Sequence, residues 1–277
     1  MVNVGDQGFH RRVKEIIERI DVKENDVILD CGCGEGFYLM VLHELFPHIK
    51  IYGLDHDPQL IEKAKTWIGP SENVYLFEGS IYNMPYDDDH FDNIILSEVL
   101  EHLQDEELAL KEVKRVLRPG GTLVVTVPNH NYPFFWDPLN WLREHLGFGH
   151  FSPDSGFFGG IWSKHLRLYS PEEIKNVVSN SGFNIESIKN LTHYCFPFTQ
   201  NVLYFGKQLY TKLPVPLSIV NTMEKFEWRK ISQNKFDFNF LRLALSVYKF
   251  VDKLNDRREI KLSESSMGIL LVAKKNI

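Results

Sequence analysis

The sequence contains few cysteines, no long apolar run and no excess of basic residues. It has 3 cysteines in 277 residues, and Cys195 is the only one outside the stretch Cys31–Cys33, so a four-thiolate zinc site is excluded. No run approaches the roughly 18 uninterrupted apolar residues of a membrane span. The net charge is −6, with 31 basic and 37 acidic residues, which argues against a nucleic-acid partner.

The first residues, "MVNVGDQGFHRRVKEIIERI", lack the apolar core of a signal peptide. We therefore expect a cytoplasmic protein, whose thiols stay reduced. Cys31 and Cys33 are too close in sequence for an unstrained disulfide. A redox pair would have two residues between its cysteines, and here there is one. We interpret them as small apolar side chains that fill space in a loop.

Short apolar segments alternate with segments of helical periodicity. The strands predicted in this way are Asp26–Asp30, Lys50–Asp55, Val74–Gly79, Phe91–Val99 and Thr122–Val127. The helices predicted are Phe9–Ile20, Phe37–Leu45, Pro58–Trp67, Asp105–Leu117 and Tyr169–Phe183, the last with a capping box of Ser170 and Glu173. This alternation is typical of a doubly wound α/β fold, a mostly parallel sheet with helices on both faces.

In such a sheet a ligand binds at the carboxyl ends of the central strands. The glycine-rich loop after the first strand, "DCGCGEG", is therefore the expected site. Glycine permits tight turns and a close approach of backbone to ligand. Asp55 ends the next strand, where a carboxylate can bind two ribose hydroxyls. These features indicate an adenosine-type ligand.

The loop differs from the dinucleotide pattern G-x-G-x-x-G. Its glycines are Gly32, Gly34 and Gly36, and Phe37 occupies the place of the last glycine in that pattern. Asp30, directly before the loop, would repel a pyrophosphate and attract an ammonium or sulfonium group. A nicotinamide-dependent oxidoreductase is thereby disfavoured.

Four motifs, in order, resemble those of the class I S-adenosylmethionine-dependent methyltransferases, in their type 11/23 small-molecule branch. They are "VILDCGCGEG" (Val27–Gly36), "YGLDHDP" (Tyr52–Pro58), "FDNIILSEVLEHL" (Phe91–Leu103) and "LKEVKRVLRPGGTLVVTVPN" (Leu110–Asn129). The resemblance covers about residues 24–190 and the last strand. It implies an enzyme with S-adenosyl-L-methionine as cofactor. It also implies a Rossmann-like sheet of seven strands whose last strand, Ser266–Lys275, is antiparallel.

The resemblance also implies a set of cofactor-binding residues. It assigns Asp30 to the methionyl ammonium, the glycine backbone to the carboxylate side, and Asp55 to the ribose hydroxyls. Ser80 stands where the family often has an aspartate for the adenine amino group, so the backbone near Ile81 is expected to contact the ring instead. The full set is Asp30, Gly32, Gly34, Gly36, Asp55, His56, Ser80, Ile81, Ser97 and Glu98.

Methyl transfer to oxygen or nitrogen can require a general base. His102, His130 and His165 follow strands that reach the rim of the site, and each is a candidate beside a purely structural role. His102 ranks first because it lies at the start of the helix after the fourth strand. The Asn-Pro-Pro-Tyr type of motif is absent, which disfavours acceptors in nucleic acids or protein amides.

We expect one methyltransferase domain over residues 1–277, with its core at about 21–127, 170–190 and 265–275. The remaining segments, about 128–169 and 191–263, are expected to form a lid over the acceptor. In the second, an apolar stripe (Leu241, Ala244, Leu245, Tyr248, Val251) lies opposite Arg242, Lys249 and Lys253. Such a helix suits packing on the lid, or a weak peripheral membrane contact.

The sequence thus predicts methyl transfer to a small acceptor that is hydrophobic, glycosylated or lipid-linked, with oxygen as the methylated atom. The alternative is a nucleotide-binding, non-catalytic scaffold or partner subunit with the same fold.

Overall fold

The computed structural model describes residues 7–194, 250–256 and 260–277. Seven strands form one sheet in the order β3-β2-β1-β4-β5-β7-β6. Six run parallel and the last is antiparallel, which confirms the predicted Rossmann-like fold class. The strands are β1 (Val27–Cys31), β2 (Lys50–Asp55), β3 (Val74–Glu78), β4 (Phe91–Ser97), β5 (Leu117–Pro128), β6 (Phe183–Leu191) and β7 (Gly268–Lys275).

Helices accompany the strands, and several begin where the sequence indicates. Asp57 caps one of them by accepting a hydrogen bond from the Gln59 amide, and Pro58 takes its first position. The predicted capping box of Ser170 and Glu173 is confirmed. The helices are α1 (Gln7–Arg19), α2 (Phe37–Leu45), α3 (Pro58–Ile68), α4 (Glu106–Val116), α5 (Pro138–His145) and α6 (Pro171–Asn180).

The central strands are buried on both faces. Ile28 of β1, Ile94 of β4 and Val124 of β5 are all fully buried, as expected for parallel strands covered by helices. This burial rigidly holds the carboxyl ends of β1, β2 and β4, where the predicted ligand site lies.

The sequence predicts a turn at Arg118–Gly121 that precedes the fifth strand, and this detail is wrong. Strand β5 already begins at Leu117, which pairs with Phe91. The next pair in the ladder is Asn93 with Thr122, so the four intervening residues of β5 form an irregularity. Gly120 has a φ of 76°, and its left-handed backbone explains why the ladder is interrupted there without ending the strand.

The chain divides into two compact units. The sheet unit comprises Val13–Val127, Tyr169–Lys189 and Ile269–Ile277. The insertion unit comprises Met1–Arg12, Pro128–Leu168 and Asn190–Gly268. The apolar stripe predicted at Leu241–Val251 lies, except for Val251, outside the described residues.

The insertion unit has its own small core. Its buried members are aromatic and aliphatic, and Trp141 and Met267 pack against them. Asp137 caps α5 by accepting a hydrogen bond from the Asn140 amide, and it also accepts one from the Ile161 amide. These contacts hold the aromatic segment together. The core residues are Tyr132, Trp136, Ile161, Trp162 and Leu168.

In the part of the chain that the structure describes, no helix combines the length and apolar character needed to cross a bilayer.

Candidate functional site at the carboxyl ends of β1, β2 and β4

The glycine loop is bound to the end of β2. The Gly32 amide donates to the Leu54 carbonyl at 2.7 Å, and the Gly34 amide donates to Asp55 Oδ2 at 2.8 Å. Gly32 has a φ of +81°, and a Cβ there would lie 2.5 Å from a Val99 methyl carbon. In the part of the chain that the structure describes, no atom lies within 4 Å of a Cβ placed on Gly34. A side chain at position 32 would therefore clash with Val99, which explains the glycine there. At Gly34 the loop leaves open space.

Asp30 is buried near the end of β1, directly before the glycine loop. Its side chain is 1% exposed, and its Oδ2 has no hydrogen-bond partner among the described residues. Burial, with a smaller contribution from the charge of Asp55, raises the pKa of Asp30 to about 8. A buried polar atom with no partner is costly, so this position suits a ligand that brings a positive charge.

Asp55 binds the backbone of the loop, and its carboxylate can still accept further hydrogen bonds. Each of its carboxylate oxygens accepts one backbone hydrogen bond, Oδ2 from Gly34 and Oδ1 from Asp57 at 3.0 Å. A carboxylate oxygen can accept a second bond, so hydroxyl groups of a ligand can still be bound. His56 lies beside it, with Nδ1 3.4 Å from Asp55 Oδ1 and an 89% exposed side chain.

A chain of hydroxyl groups links α2, β4 and β5. The Tyr38 hydroxyl lies 3.1 Å from Ser97 Oγ, which lies 2.9 Å from Thr126 Oγ1. Thr126 Oγ1 donates in turn to Glu98 Oε1 at 3.1 Å. Glu98 has a φ of +56°, which is uncommon for a residue other than glycine. Sequence reasoning named Ser97 and Glu98 but missed Tyr38 and Thr126.

The loop after β3 reaches the same edge of the sheet. The Gly79 amide donates to the Asp55 carbonyl at 2.9 Å. Ser80 is exposed and forms an isolated bridge with Asn83, and its Oγ accepts a hydrogen bond from the Tyr82 amide. Ile81 is half-buried and packs against the main core. The start of this loop is thus hydrogen-bonded directly to the backbone of Asp55.

The three candidate histidines are divided between the two units. His102 belongs to the sheet unit and ends a 3₁₀ turn, Leu100–His102, after β4. Its Nε2 lies 3.7 Å from Oε1 of Glu101, whose side chain is fully buried. His130 and His165 belong to the insertion unit. His130 is exposed, with its ring 6.4 Å from that of Trp162.

The two loop cysteines are buried free thiols. Burial, together with the charges of Asp30 and Asp55, raises the pKa of both thiols far above the ordinary value. A thiol must lose its proton to bind a metal or attack a disulfide, so Cys31 and Cys33 act as apolar side chains here.

Fold and site together define a Rossmann-like protein with a glycine loop between two buried carboxylates. The family model described as "Methyltransferase domain" matches residues 29–125. Over 192 residues the chain is 31% identical to demethylmenaquinone methyltransferase of Staphylococcus haemolyticus. The match covers 65% of this chain and 77% of that protein.

An uncharacterised methyltransferase of Schizosaccharomyces pombe is 37% identical over 108 residues. That match covers 36% of this chain and 39% of the yeast protein. A Haloferax volcanii methyltransferase, solved in complex with the Trm112 methyltransferase activator, has a TM-score of 0.56 at 18% identity. The similarity covers 98% of this chain and 92% of that chain, and at this identity it shows the fold.

The chain belongs to the class I S-adenosylmethionine-dependent methyltransferases, and S-adenosyl-L-methionine is its cofactor. The residues present fit that cofactor. Its ammonium would give the buried Asp30 oxygen the partner that it lacks. The open space at Gly34 admits a ligand against the loop backbone.

Proposed function

We propose that this protein transfers a methyl group from S-adenosyl-L-methionine to a small hydrophobic or lipid-linked acceptor, on oxygen. The observation that carries the proposal is the buried carboxylate oxygen of Asp30 beside the glycine loop, which has no hydrogen-bond partner among the residues described. The demethylmenaquinone methyltransferase relative acts, by its name, on a hydrophobic small molecule, which supports this class of acceptor.

In this proposal Asp30 binds the methionyl ammonium and the backbone of Gly32–Gly36 binds the carboxylate side. The start of α2, whose N-cap residue Gly36 makes no side-chain cap hydrogen bond, suits an anionic group. Asp55 accepts hydrogen bonds from the ribose hydroxyls. The remaining contacts are His56 beside the adenosine, Ser80 and the Ile81 backbone at the adenine, and Ser97 and Glu98 below the methionyl part.

When bound, the cofactor supplies an electrophilic sulfonium methyl group. The chain has to place the acceptor in line with that group and exclude water, and alignment alone can contribute about 7–11 kcal/mol to lowering the barrier. We propose a lid role for the segment 128–169, as the sequence predicts; most of the second predicted lid segment, 191–263, lies outside the described residues. His102 takes the acceptor proton, and the buried Glu101 carboxylate stabilises the imidazolium that results.

Methyl transfer is tested with S-adenosylmethionine that carries a labelled methyl group. The purified protein is incubated with a lipid extract and, separately, with a soluble-metabolite extract, and mass spectrometry identifies the product. We expect an O-methylated product from the lipid extract, and much less of it with Asp30→Ala at a cofactor concentration near the wild-type Kd. Label in the soluble fraction alone would overturn the hydrophobic acceptor. Cofactor binding without any transfer would favour a non-catalytic partner subunit.

Cofactor affinity should depend on pH through Asp30. Only the ionised carboxylate attracts the ammonium, and with a pKa of about 8 Asp30 is mostly protonated at pH 6. Affinity should therefore rise about tenfold between pH 6 and pH 7 and less steeply towards pH 8. Approaching pH 8 the gain is also reduced because the α-amino group of the cofactor, with an ordinary pKa of about 7.7–8.0, loses its own proton.

Titration calorimetry between pH 6 and pH 8 checks this dependence. Asp30→Asn should bind weakly with an affinity that is nearly constant over the range. A wild-type affinity that does not change with pH would contradict the assignment of Asp30 to the ammonium.

Thr126 should affect cofactor binding through the residues that it holds. Thr126→Val removes the hydrogen bonds to Ser97 and Glu98, and we expect a loss of about 1 kcal/mol in cofactor affinity. Thr126→Ser retains the hydroxyl and should restore most of it. Thr122→Val, also buried on β5, is the matched control. Equal affinity in Thr126→Val and the wild type would limit the hydroxyl chain to a structural role.

A further inference from the structure

The loop after β3 makes a tight turn from Ser80 to Asn83. These two residues form an antiparallel bridge, and the Asn83 amide donates to the Ser80 carbonyl at 3.2 Å. The Ser80 hydroxyl oxygen accepts a hydrogen bond from the Tyr82 amide, so this side chain already serves the turn itself. The proposed function places the adenine of the cofactor against Ser80 and the Ile81 backbone, and we call the segment Ser80–Asn83 the adenine turn.

Hydrogen bonds fix the adenine turn at both ends. Before it, the Gly79 amide donates to the Asp55 carbonyl of β2 at 2.9 Å. After it, the buried Met84 is bound through both of its backbone groups. The Met84 amide donates to Glu112 Oε1 at 2.8 Å, and the Met84 carbonyl accepts from Arg115 Nη2 at 3.1 Å. Two side chains of α4 therefore set the position at which the turn ends.

Arg115 and Glu112 also bind each other. Arg115 Nε donates to Glu112 Oε2 at 2.9 Å, and Arg115 Nη2 donates to Glu112 Oε1 at 2.7 Å, which is the bidentate geometry of a strong ion pair. Arg115 Nη1 donates to the Tyr86 carbonyl at 2.8 Å. The hydrogen bonds from Arg115 hold the pKa of Glu112 below its ordinary value. Lysine has the charge of arginine but lacks this planar set of donors.

A backbone that recognises adenine has to hold its amide and carbonyl groups in fixed positions. The edge of adenine presents an amino donor beside a ring-nitrogen acceptor, and hypoxanthine reverses both groups. A rigid backbone rejects the reversed pattern because donors and acceptors are then left without partners. A backbone that can shift adapts to either base and loses this selectivity.

We propose that Arg115 and Glu112 are positioning residues for adenine recognition. They hold the end of the adenine turn, and with it the backbone of Ser80 and Ile81, in the position that selects adenine over hypoxanthine. Because the Ser80 hydroxyl serves the turn, this selection depends mainly on the backbone. The inference rests on the proposed function, which places the adenine at this turn.

Titration calorimetry with two ligands that differ only in the base tests the proposal. The ligands are S-adenosylhomocysteine and S-inosylhomocysteine, in which a carbonyl oxygen replaces the adenine amino group. The measured quantity is the ratio of their two dissociation constants. Loss of folded protein lowers the number of binding sites but leaves this ratio unchanged, so a merely structural role of the pair would not alter it.

The main variant is Arg115→Lys, which keeps the charge and removes the fork of donors. Glu112→Gln is a milder second variant, because it removes the charge but keeps an oxygen that can accept from the Met84 amide. The matched control is Arg118→Lys. Arg118 Nε donates to the Asp89 carbonyl at 3.1 Å, at the end of the same loop that lies away from the adenine turn.

The wild type and Arg118→Lys should bind S-adenosylhomocysteine about 100-fold more tightly than S-inosylhomocysteine. In Arg115→Lys this preference should fall to about 10-fold, and in Glu112→Gln it should fall about threefold. If Arg115→Lys does not fold, Glu112→Gln decides in the same way.

Two results would overturn the inference and leave the cofactor assignment intact. One is a wild type that binds both ligands equally, and the other is a preference that Arg115→Lys and Glu112→Gln share unchanged with the wild type. No binding of S-adenosylhomocysteine by the wild type would instead refute the cofactor contacts of the proposed function, on which the inference rests.

Discussion

His102→Gln is expected to lower turnover by about 10²–10⁴-fold and to leave cofactor affinity nearly intact. This range is typical for the loss of a general base. Glutamine keeps the polar character and approximate size of the side chain but cannot take up a proton. The acceptor identified in the labelled-methyl experiment serves as the substrate, and turnover and cofactor affinity are measured on the same preparations.

The matched control is His48→Gln. His48 is exposed in the turn before β2, at the opposite edge of the sheet from the glycine loop, and its variant should have wild-type turnover. If His102→Gln also has wild-type turnover, His102 has no role as a base. The same comparison then applies to His165 and His130.

Asp30→Ala and Asp55→Ala should each weaken S-adenosylmethionine binding by about 1.5–3 kcal/mol, the range for hydrogen bonds to charged groups. Asp30→Ala removes the partner of the ammonium. Asp55→Ala removes the ribose contact and also the acceptor of the Gly34 and Asp57 amides, so it should loosen the loop as well. Titration calorimetry with S-adenosylmethionine measures both losses.

Asp26→Asn controls for general effects of altering a buried aspartate. Asp26 is 9% exposed, precedes β1, and accepts hydrogen bonds from Asn93 Nδ2 and the Lys23 amide. It lies at the other end of the strand from Asp30, so its variant should lose stability and retain cofactor affinity. Unchanged affinity in both the Asp30 and Asp55 variants would refute the assigned cofactor contacts.

The elements with strong local patterns could be predicted from the sequence. The bounds of α2 (Phe37–Leu45) and β2 (Lys50–Asp55) are those expected, because Gly36, Pro47 and the Asp57-Pro58 pair restrict the backbone on either side. Such residues act through their own φ values and caps, which need no tertiary contact.

Helix α5 was not predicted, although a local pattern was present. Asp137-Pro138 supplies the same cap and first-turn proline as Asp57-Pro58. The glycine- and aromatic-rich sequence around it obscures the periodicity, and the outward leucines reverse the usual burial. Which face of α5 is buried depends on the partners of Glu144, and one of these, Trp162, is 18 residues away.

The carboxylates and glycines of the site were identified because their motif is contiguous. Tyr38 and Thr126 were missed because their contacts with Ser97 join residues 59 and 29 positions apart. Their proximity follows only from the packing of α2 and β5 around β4. The buried Glu101 beside His102 was likewise not apparent, since a glutamate in a 3₁₀ turn is more often exposed. The roles of all these residues stay predictions.

The most direct test of the central claim is titration calorimetry of the wild-type protein with three ligands at pH 8, where Asp30 is about half ionised. We predict saturable binding of S-adenosylmethionine and S-adenosylhomocysteine at one site per chain, and no measurable binding of a nicotinamide dinucleotide. Binding of the dinucleotide, or of neither adenosyl compound, would contradict the account.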